Sequence, residues 1–417
     1  MQRKLDPSQY GNQKHKSIQH YLVKLLNRIL TSVDNNSKGE INAVLCMFID
    51  WKQAYSRQCH TLGIESFIKN GVRPSLIPLL ISYFEDRQMR VKWHGLLSNP
   101  RKLPGGGAMG ANLGNWEFLS QTNNNADCVP EQDRFKFVDD LSIIEVINLL
   151  TIGLSSFYMK DNVPSDIPVH GQYIDSSKLK SQEYLNNINE WTNNQKMIIS
   201  EKKTKAMLFN FTDKYQFTTR LNLKGTKIEI VDKMKILGTI VRTDLSWDEN
   251  CSLLIKKVNA RMQLLRELQQ FGATKEEMVH IWVLFCRSLL EQSCVVWHSS
   301  LTKENSDDLE RPQKSFAKLV LQDRYANYED SLIKLNLESL SQRRQNLCSK
   351  FANNGIKHKQ LCDILPENDK QHDMKTRNEE KYKVQFANTK RLKDASVINM
   401  QNILNQEDRE NRKRNLG

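Results

Sequence analysis

Two apolar patterns in the first third of the chain predict strands that end in acidic residues. Residues 43–49 are apolar without interruption and stop at Asp50, which is typical of a buried central strand. Residues 135–143 alternate apolar and polar positions on both sides of Asp139 and Asp140. This second pattern predicts a short β-hairpin with the paired acids at its tip.

Adjacent carboxylates repel each other, so a fold that places two of them at a hairpin tip normally supplies a cation. A solvated Asp-Asp turn is the alternative interpretation of Asp139 and Asp140. If the strand before Asp50 reaches the same sheet edge, the three acids form one cluster. Two Mg²⁺ ions bridged by such a cluster can activate an attacking hydroxyl and stabilise a leaving pyrophosphate.

The apolar spacing becomes helical in three other parts of the chain. Residues 17–31 place their apolar side chains on one helical face, as expected for a packing helix. From residue 250 a similar stripe predicts a basic helical bundle; its first members are Ile255, Val258, Met262, Leu265 and Leu268. Residues 331–417 are helical in propensity but very charged, and we expect a loosely attached extension with a disordered tail.

Composition adds a preference for polyanions. Of the 417 residues, 61 are Lys or Arg and 48 are Asp or Glu, which gives a net charge of +13. The eight cysteines form no CxxC pair, so we expect reduced thiols. The polar N-terminus lacks a signal-peptide pattern, and no run of eighteen apolar residues occurs. We therefore expect an intracellular protein of the nucleus or cytoplasm, not secreted and without a membrane partner.

Three motifs resemble the palm motifs of reverse transcriptases, in the family's order. They are Phe-Ile-Asp-Trp-Lys-Gln-Ala-Tyr at 48–55, Gly-Gly-Gly-Ala-Met-Gly-Ala-Asn-Leu-Gly at 105–114 and Phe-Val-Asp-Asp at 137–140. The chain is most similar to the type found in retrotransposons without long terminal repeats, loosely from residue 5 to residue 330. It departs from that pattern at Ala108-Met109, where Pro-Gln is usual, and at Asn115, where proline is usual.

The resemblance implies an α+β fold with a right-hand polymerase palm, an antiparallel sheet with packed helices, followed by a helical thumb. It assigns residues 1–40 to partial fingers, 41–248 to the palm, 249–330 to the thumb and 331–417 to the charged extension. Because only 49 residues precede Asp50, we expect fingers that are truncated at the N-terminus.

The resemblance also implies an activity. It is RNA-directed DNA polymerisation, a nucleotidyl transfer in which a DNA primer 3′-hydroxyl is extended with deoxynucleoside triphosphates on an RNA template. Two Mg²⁺ ions would serve as cofactors, with Mn²⁺ as a substitute. The alternative is a nucleic-acid-binding remnant of a mobile element that has weak catalytic activity or none.

Residue roles follow from the same resemblance. The expected metal ligands are Asp50, Asp139 and Asp140, with Asp139 in direct contact, and Lys203 would protonate the departing pyrophosphate. Tyr55 would be the steric gate that excludes a 2′-hydroxyl, or else an ordinary half-buried aromatic. The remaining substrate-binding candidates are Gly106 and Gly110 beside the nascent base pair, Leu237 and Gly238 in the primer grip, and Lys257 and Arg261 on duplex phosphates.

Overall fold

The computed structural model describes residues 5–34, 41–103, 105–107, 110–152, 172–212, 217–368 and 380–414. The helices in these ranges are α1 (Ile18–Asp34), α2 (His60–Lys69), α3 (Ile77–Phe84), α4 (Asn112–Gln121), α5 (Lys180–Asn194), α6 (Asp248–Gln270), α7 (Lys275–Ile281), α8 (Ser288–Leu290), α9 (Cys294–Trp297), α10 (Lys303–Leu321), α11 (Tyr328–Leu335), α12 (Leu340–Lys357), α13 (Lys390–Lys393) and α14 (Ser396–Arg414). A π-helical segment, Trp282–Arg287, joins α7 to α8.

Most strands lie in the first half of the chain. They are β1 (Asn42–Ile49), β2 (Gln88–Met89), β3 (Lys92–Trp93), β4 (Leu96–Leu97), β5 (Arg101–Lys102), β6 (Arg134–Phe137), β7 (Asp140–Asn148), β8 (Gln172–Ile174), β9 (Lys205–Phe209), β10 (Phe217–Thr219), β11 (Asn222–Leu223), β12 (Thr226–Lys227), β13 (Glu229–Ile230), β14 (Lys233–Ile236) and β15 (Thr239–Arg242).

The chain divides into two compact units. The first comprises Met1–Ser17 and Glu40–Val231, and the second comprises Ile18–Gly39 and Asp232–Gly417. Helix α1 thus groups with the second unit, although the sequence assigns it to the fingers. The boundaries at residues 40, 248 and 330 stay predictions.

The first unit is built on a five-stranded sheet in the order β13-β9-β1-β7-β6. All neighbours in it are antiparallel except β13 and β9. Every residue of the central strand β1 is buried, which explains why residues 43–49 are continuously apolar rather than alternating. Helix α5 packs against β7 and buries Leu185 and Ile188. The predicted α+β fold with an antiparallel palm sheet and packed helices is confirmed.

The second unit is mostly helical, as the change of period predicts for the thumb. Helix α6 packs against α10 and buries Leu254, Val258, Met262 and Leu265 along one stripe. Trp282 stacks on Phe316 of α10 with ring centroids 4.6 Å apart, and its indole nitrogen donates to Gln313. These contacts give the helices a shared apolar core.

The C-terminal helices are packed, so the expectation of loose attachment is wrong. Helix α14 packs against α12 and buries Val397, Met400 and Leu404. The amide of Asn405 bonds both the backbone nitrogen and the backbone oxygen of Tyr382, at 2.8 and 2.9 Å. Helix α14 continues to Arg414, and the last three residues of the expected disordered tail lie outside the described part. The high charge hides a narrow apolar stripe that is sufficient for packing.

One further sequence expectation concerns the surface. An extended surface excursion is predicted over residues 154–178. Residues 153–171 lie outside the described part, and Gln172–Ile174 forms β8, which pairs in parallel with β10.

In the ranges given above, no single helix has the length and apolar character to cross a membrane. The bent pair Lys275–Leu290 and Cys294–Ser300 has both only when its two helices are taken together.

Candidate active site

The ends of β1 and β7 carry the three acids to one edge of the sheet in the first unit. Ile49 pairs with Leu141 across the two strands, so Asp50 follows β1 where β7 begins at Asp140. Phe137 pairs with Asp140 across a two-residue turn, and Asp139 is the second residue of that turn. The predicted hairpin and the shared edge are therefore both present.

Two of the three carboxylates, those of Asp139 and Asp140, have raised pKa values. The pKa of Asp139 lies above its usual range because of desolvation first and then the charge of Asp50, while Lys203 acts in the opposite direction. Desolvation, together with the charges of Asp139 and Asp50, raises the pKa of Asp140 to about 6. This edge of the sheet thus holds more negative charge than its surroundings compensate.

Lys203 is the nearest cation to this cluster that the structure records. Its ammonium nitrogen lies 3.6 Å from Oδ2 of Asp50, a buried oxygen that accepts no hydrogen bond from any described residue. The turn before β9 holds the two together, because Ser200 donates its backbone N–H to the Asp50 carbonyl at 2.8 Å. The Lys203 side chain is 72% exposed, so it can also reach a bound phosphate.

The donor set suits a hard divalent cation, because all three side chains offer only carboxylate oxygens. The orphaned oxygen of Asp50 and the raised pKa values of Asp139 and Asp140 mark charge that such a cation would neutralise. Among the residues the structure describes, however, no three His, Cys, Asp or Glu side chains are arranged to hold a metal ion. Metal ligation by these acids stays a prediction.

Tyr55 lies beside the acids. Its ring is oriented by Asn115, the residue that stands where proline is usual in the family. Its ring stacks on Phe118 with centroids 4.8 Å apart, and its hydroxyl donates to Oδ1 of Asn115 at 3.1 Å. Desolvation, with a smaller contribution from the charge of Asp139, raises the pKa of Tyr55. Asn115 therefore orients a ring whose hydroxyl lies close enough to Asp139 to be affected by its charge.

The glycine-rich loop is tied to the segment that carries Tyr55. Gly107 donates its N–H to the Tyr55 carbonyl, and Gly106 donates to the Gln58 carbonyl, both at 2.8 Å. A Cβ on Gly107 would lie 1.8 Å from Oε1 of Gln58, so a larger residue would require the Gln58 side chain to move. Gly110 has a φ of +86° and open space around it. The altered Ala108-Met109 pair lies outside the described residues.

The other predicted binding residues lie in the second unit. Leu237 and Gly238, with φ values of 46° and 93°, form the two-residue turn of the β14–β15 hairpin. A Cβ on Gly238 would lie 2.7 Å from Nε2 of Gln292. On α6, Lys257 is half-buried, and the Arg261 guanidinium donates to the Phe285 carbonyl. Arg261 is thus already engaged within the protein.

Glu117 of α4 is a buried acid that the sequence did not single out. Its side chain is fully buried, and neither carboxylate oxygen accepts a hydrogen bond from a described residue. Desolvation, partly offset by the charge of Arg87, raises the pKa of Glu117 to about 7. The fold therefore favours the protonated form of this side chain.

Stability of the first unit should depend on this group. Folding raises the pKa of Glu117 from its usual value of 4.5 to about 7. The free energy of unfolding therefore falls as the pH rises from 4.5 to 7, and the full loss is reached above pH 7. Raising the pH from 5 to 8 should therefore lower the free energy of unfolding of the parent by roughly 2 to 3 kcal/mol more than that of Glu117→Gln. Urea unfolding at both pH values measures this, with exposed Glu190→Gln as the control. An equal change for the parent and for Glu117→Gln would contradict it.

Comparison with known proteins adds a relative. No family model matches the chain. It is 25% identical over 266 residues to a probable RNA-directed DNA polymerase from transposon BS of Drosophila melanogaster, a match that covers 64% of this chain and 27% of the relative. The chain thus spans about a quarter of the curated relative's length.

Solved structures similar to the chain include telomerases. The apo telomerase of Candida tropicalis matches with a TM-score of 0.39 and 13% identity, over 85% of this chain and 56% of the telomerase. The same telomerase in complex with a TWJ fragment of telomeric RNA matches with a TM-score of 0.38 and 13% identity, over 86% and 50% of the two chains. The curated relative confirms the resemblance predicted from the palm motifs: the chain is similar to a probable RNA-directed DNA polymerase of a transposon.

Proposed function

We propose that this chain carries the polymerase centre of a retrotransposon reverse transcriptase. It would extend a DNA primer with deoxynucleoside triphosphates on an RNA template. The observation that carries the proposal is the convergence of Asp50, Asp139 and Asp140 at one sheet edge, with Lys203 3.6 Å from Asp50. Homology to a transposon polymerase supports it.

In this reaction the primer 3′-oxygen forms a bond to the α-phosphorus, the bond from that phosphorus to the bridging oxygen breaks, and the hydroxyl proton is released. Two Mg²⁺ ions held by Asp50, Asp139 and Asp140 would supply Lewis-acid activation and charge neutralisation. Lys203 is exposed and cationic, so it can give a proton to the departing pyrophosphate. Tyr55, fixed by Asn115, would lie against the sugar and exclude a 2′-hydroxyl.

A second candidate function is nucleic-acid binding without chemistry. The Lys203 ammonium next to Asp50 supplies positive charge where a metal would otherwise act, and within the described ranges no three ligands are arranged for an ion. The net charge of +13 would be retained in such a remnant and would still attract phosphates.

Primer extension on an RNA template separates the two functions. The full chain is incubated with a labelled DNA primer, all four deoxynucleotides and either Mg²⁺ or Mn²⁺, while fluorescence anisotropy measures primer–template binding. Template-dependent extension supports the polymerase. Binding without extension under either metal supports the remnant, and loss of both would overturn both proposals.

The thumb assignment makes a separate prediction about salt. For every duplex phosphate that a variant no longer neutralises, the slope of log affinity against log salt should flatten by about 0.9 on B-DNA. We expect that change for Lys257→Gln, and a smaller one for Arg261→Gln, because Arg261 donates to the Phe285 carbonyl. Anisotropy titrations at several salt concentrations measure the slopes, with exposed Lys303→Gln of α10 as the control. An unchanged slope for Lys257→Gln would remove α6 from the surface that binds the duplex.

A further inference from the structure

The first residues of the described chain form an extra strand-like edge on β6, the strand that leads to the acidic turn. Lys136 donates its N–H to the Ser8 carbonyl at 2.9 Å, and Tyr10 donates its N–H to the Lys136 carbonyl at 2.8 Å. We call residues 5–11 the N-terminal clip. Backbone pairing alone therefore places the clip alongside the hairpin.

Buried charges fasten the clip at its start. The side chains of Asp6 and Lys136 are each 3% exposed, and the Asp6 carboxylate lies 2.5 Å from the Lys136 ammonium and 3.1 Å from Nε of Arg134. The backbone N–H of Asp6 donates to Oδ1 of Asn123 at 2.7 Å. Both cations belong to β6, so the ion cluster fixes the clip to the hairpin itself.

The clip then reaches the turn through Gln9. Its side-chain oxygen accepts the N–H of Val138 at 3.0 Å and the N–H of Gly11 at 2.8 Å, and the side chain of Gln9 is buried. A Cβ on Gly11 would lie 2.6 Å from the nitrogen and 2.4 Å from Cγ2 of Val138, so only glycine allows this approach. The Gln9 bond to Val138 and the close packing of Gly11 thus both reach the residue immediately before Asp139.

Val138 needs external support, because its φ is +56°. A β-branched residue is strained in the left-handed region, and turns of this kind normally carry glycine or asparagine. Strained backbone persists only where its surroundings over-determine it. The Gln9 oxygen and the close packing of Gly11 provide that constraint from outside the hairpin.

We propose that Gln9 is a positioning residue that holds the Val138–Asp139 turn in its strained form and thereby sets the direction of the Asp139 carboxylate. The inference rests on the proposed polymerase function for its consequence, and on the contacts of Gln9 for its mechanism. Without the Gln9 acceptor, the Val138 N–H has no partner and the turn relaxes toward negative φ. The Asp139 carboxylate would then move relative to the sheet edge that it shares with Asp50, and a cation held by both acids would lose a ligand.

The test uses Gln9→Met, which keeps the length of the side chain and removes the acceptor. Mn²⁺ binding by electron paramagnetic resonance, in the absence of nucleic acid, provides a readout independent of turnover; Asp139→Asn identifies the signal from this site. We expect Gln9→Met to weaken Mn²⁺ affinity about tenfold or more, as expected for loss of a group that orients a metal ligand. In extension assays kcat should fall more than the deoxynucleotide KM changes.

Two further variants make the result specific. Gln121→Met removes another buried glutamine of the first unit, 1% exposed, and should leave Mn²⁺ affinity at the parental value. Val138→Asn in the Gln9→Met background should restore affinity, because asparagine tolerates a positive φ without the support of the N-terminal clip. The double variant also covers the case in which Gln9→Met fails to fold, since relief of strain should then restore folding.

The outcomes separate the inference from the function on which it rests. Parental Mn²⁺ affinity in folded Gln9→Met, or no recovery in the double variant, would overturn the positioning role. Absence of Mn²⁺ binding by the parent would overturn it as well. A parent that binds Mn²⁺ but extends no primer would refute the polymerase and still allow Gln9 to be tested by metal affinity.

Discussion

Replacing Asp139 with asparagine is expected to lower primer extension at least about 100-fold while leaving the fold unchanged. The reason is electrostatic: an amide has the shape of the carboxylate but not the charge that a pair of divalent cations requires. Even groups that only orient a metal ligand change affinity or activity by about 10- to 100-fold, so a direct ligand should exceed that range. Asp50→Asn should behave in the same way, because Asp50 lies at the same sheet edge.

The measurement is a single-turnover extension rate with saturating primer–template, so that altered binding does not enter. Glu190→Gln is the matched control, because it removes one exposed carboxylate from α5 of the same unit. Circular dichroism and thermal unfolding confirm that each variant is folded. If the parent extends primers and folded Asp139→Asn retains a rate near that of the control, the assignment of the acids is wrong.

Local sequence patterns were sufficient to predict the sheet edge. The unbroken apolar run at 43–49 reflects burial of the whole of β1, and the alternation around Asp139 reflects the β6–β7 hairpin, in which the polar residues Lys136 and Ser142 are buried as well. Both patterns depend on neighbours in the chain, so a single sequence reveals them. The stripe of α6 was predictable for the same reason.

Contacts between distant residues were not predictable in this way. Gln9 meets Val138 across 129 positions, and nothing in a β-branched residue indicates that its φ is positive. The bond between Tyr55 and Asn115 spans 60 positions. Long-range packing also decided the C-terminal helices, where the net charge outweighed the apolar stripe of α14 in the sequence-based interpretation. Motif resemblance predicted roles for single residues, whereas the structure showed which other residues contact them.

Shrinking Tyr55 to valine is expected to lower discrimination against ribonucleotides by about 10- to 100-fold, the second large effect. The ring stacks on Phe118 and is oriented by Asn115, so its position is fixed. Removing the ring should make room for a 2′-hydroxyl. A small change in pocket volume changes specificity by about 10- to 200-fold.

The ratio of kcat/KM for a deoxynucleotide to that for its ribonucleotide measures this effect. Tyr55→Phe is the informative control, because it keeps the ring and its stacking on Phe118 but removes the hydroxyl that bonds Asn115. If bulk excludes the 2′-hydroxyl, Tyr55→Phe should keep most of the discrimination and Tyr55→Val should lose it. If orientation by Asn115 matters equally, Tyr55→Phe should fall between the parent and Tyr55→Val. An unchanged ratio in an active Tyr55→Val enzyme would show that sugar selection depends on other residues.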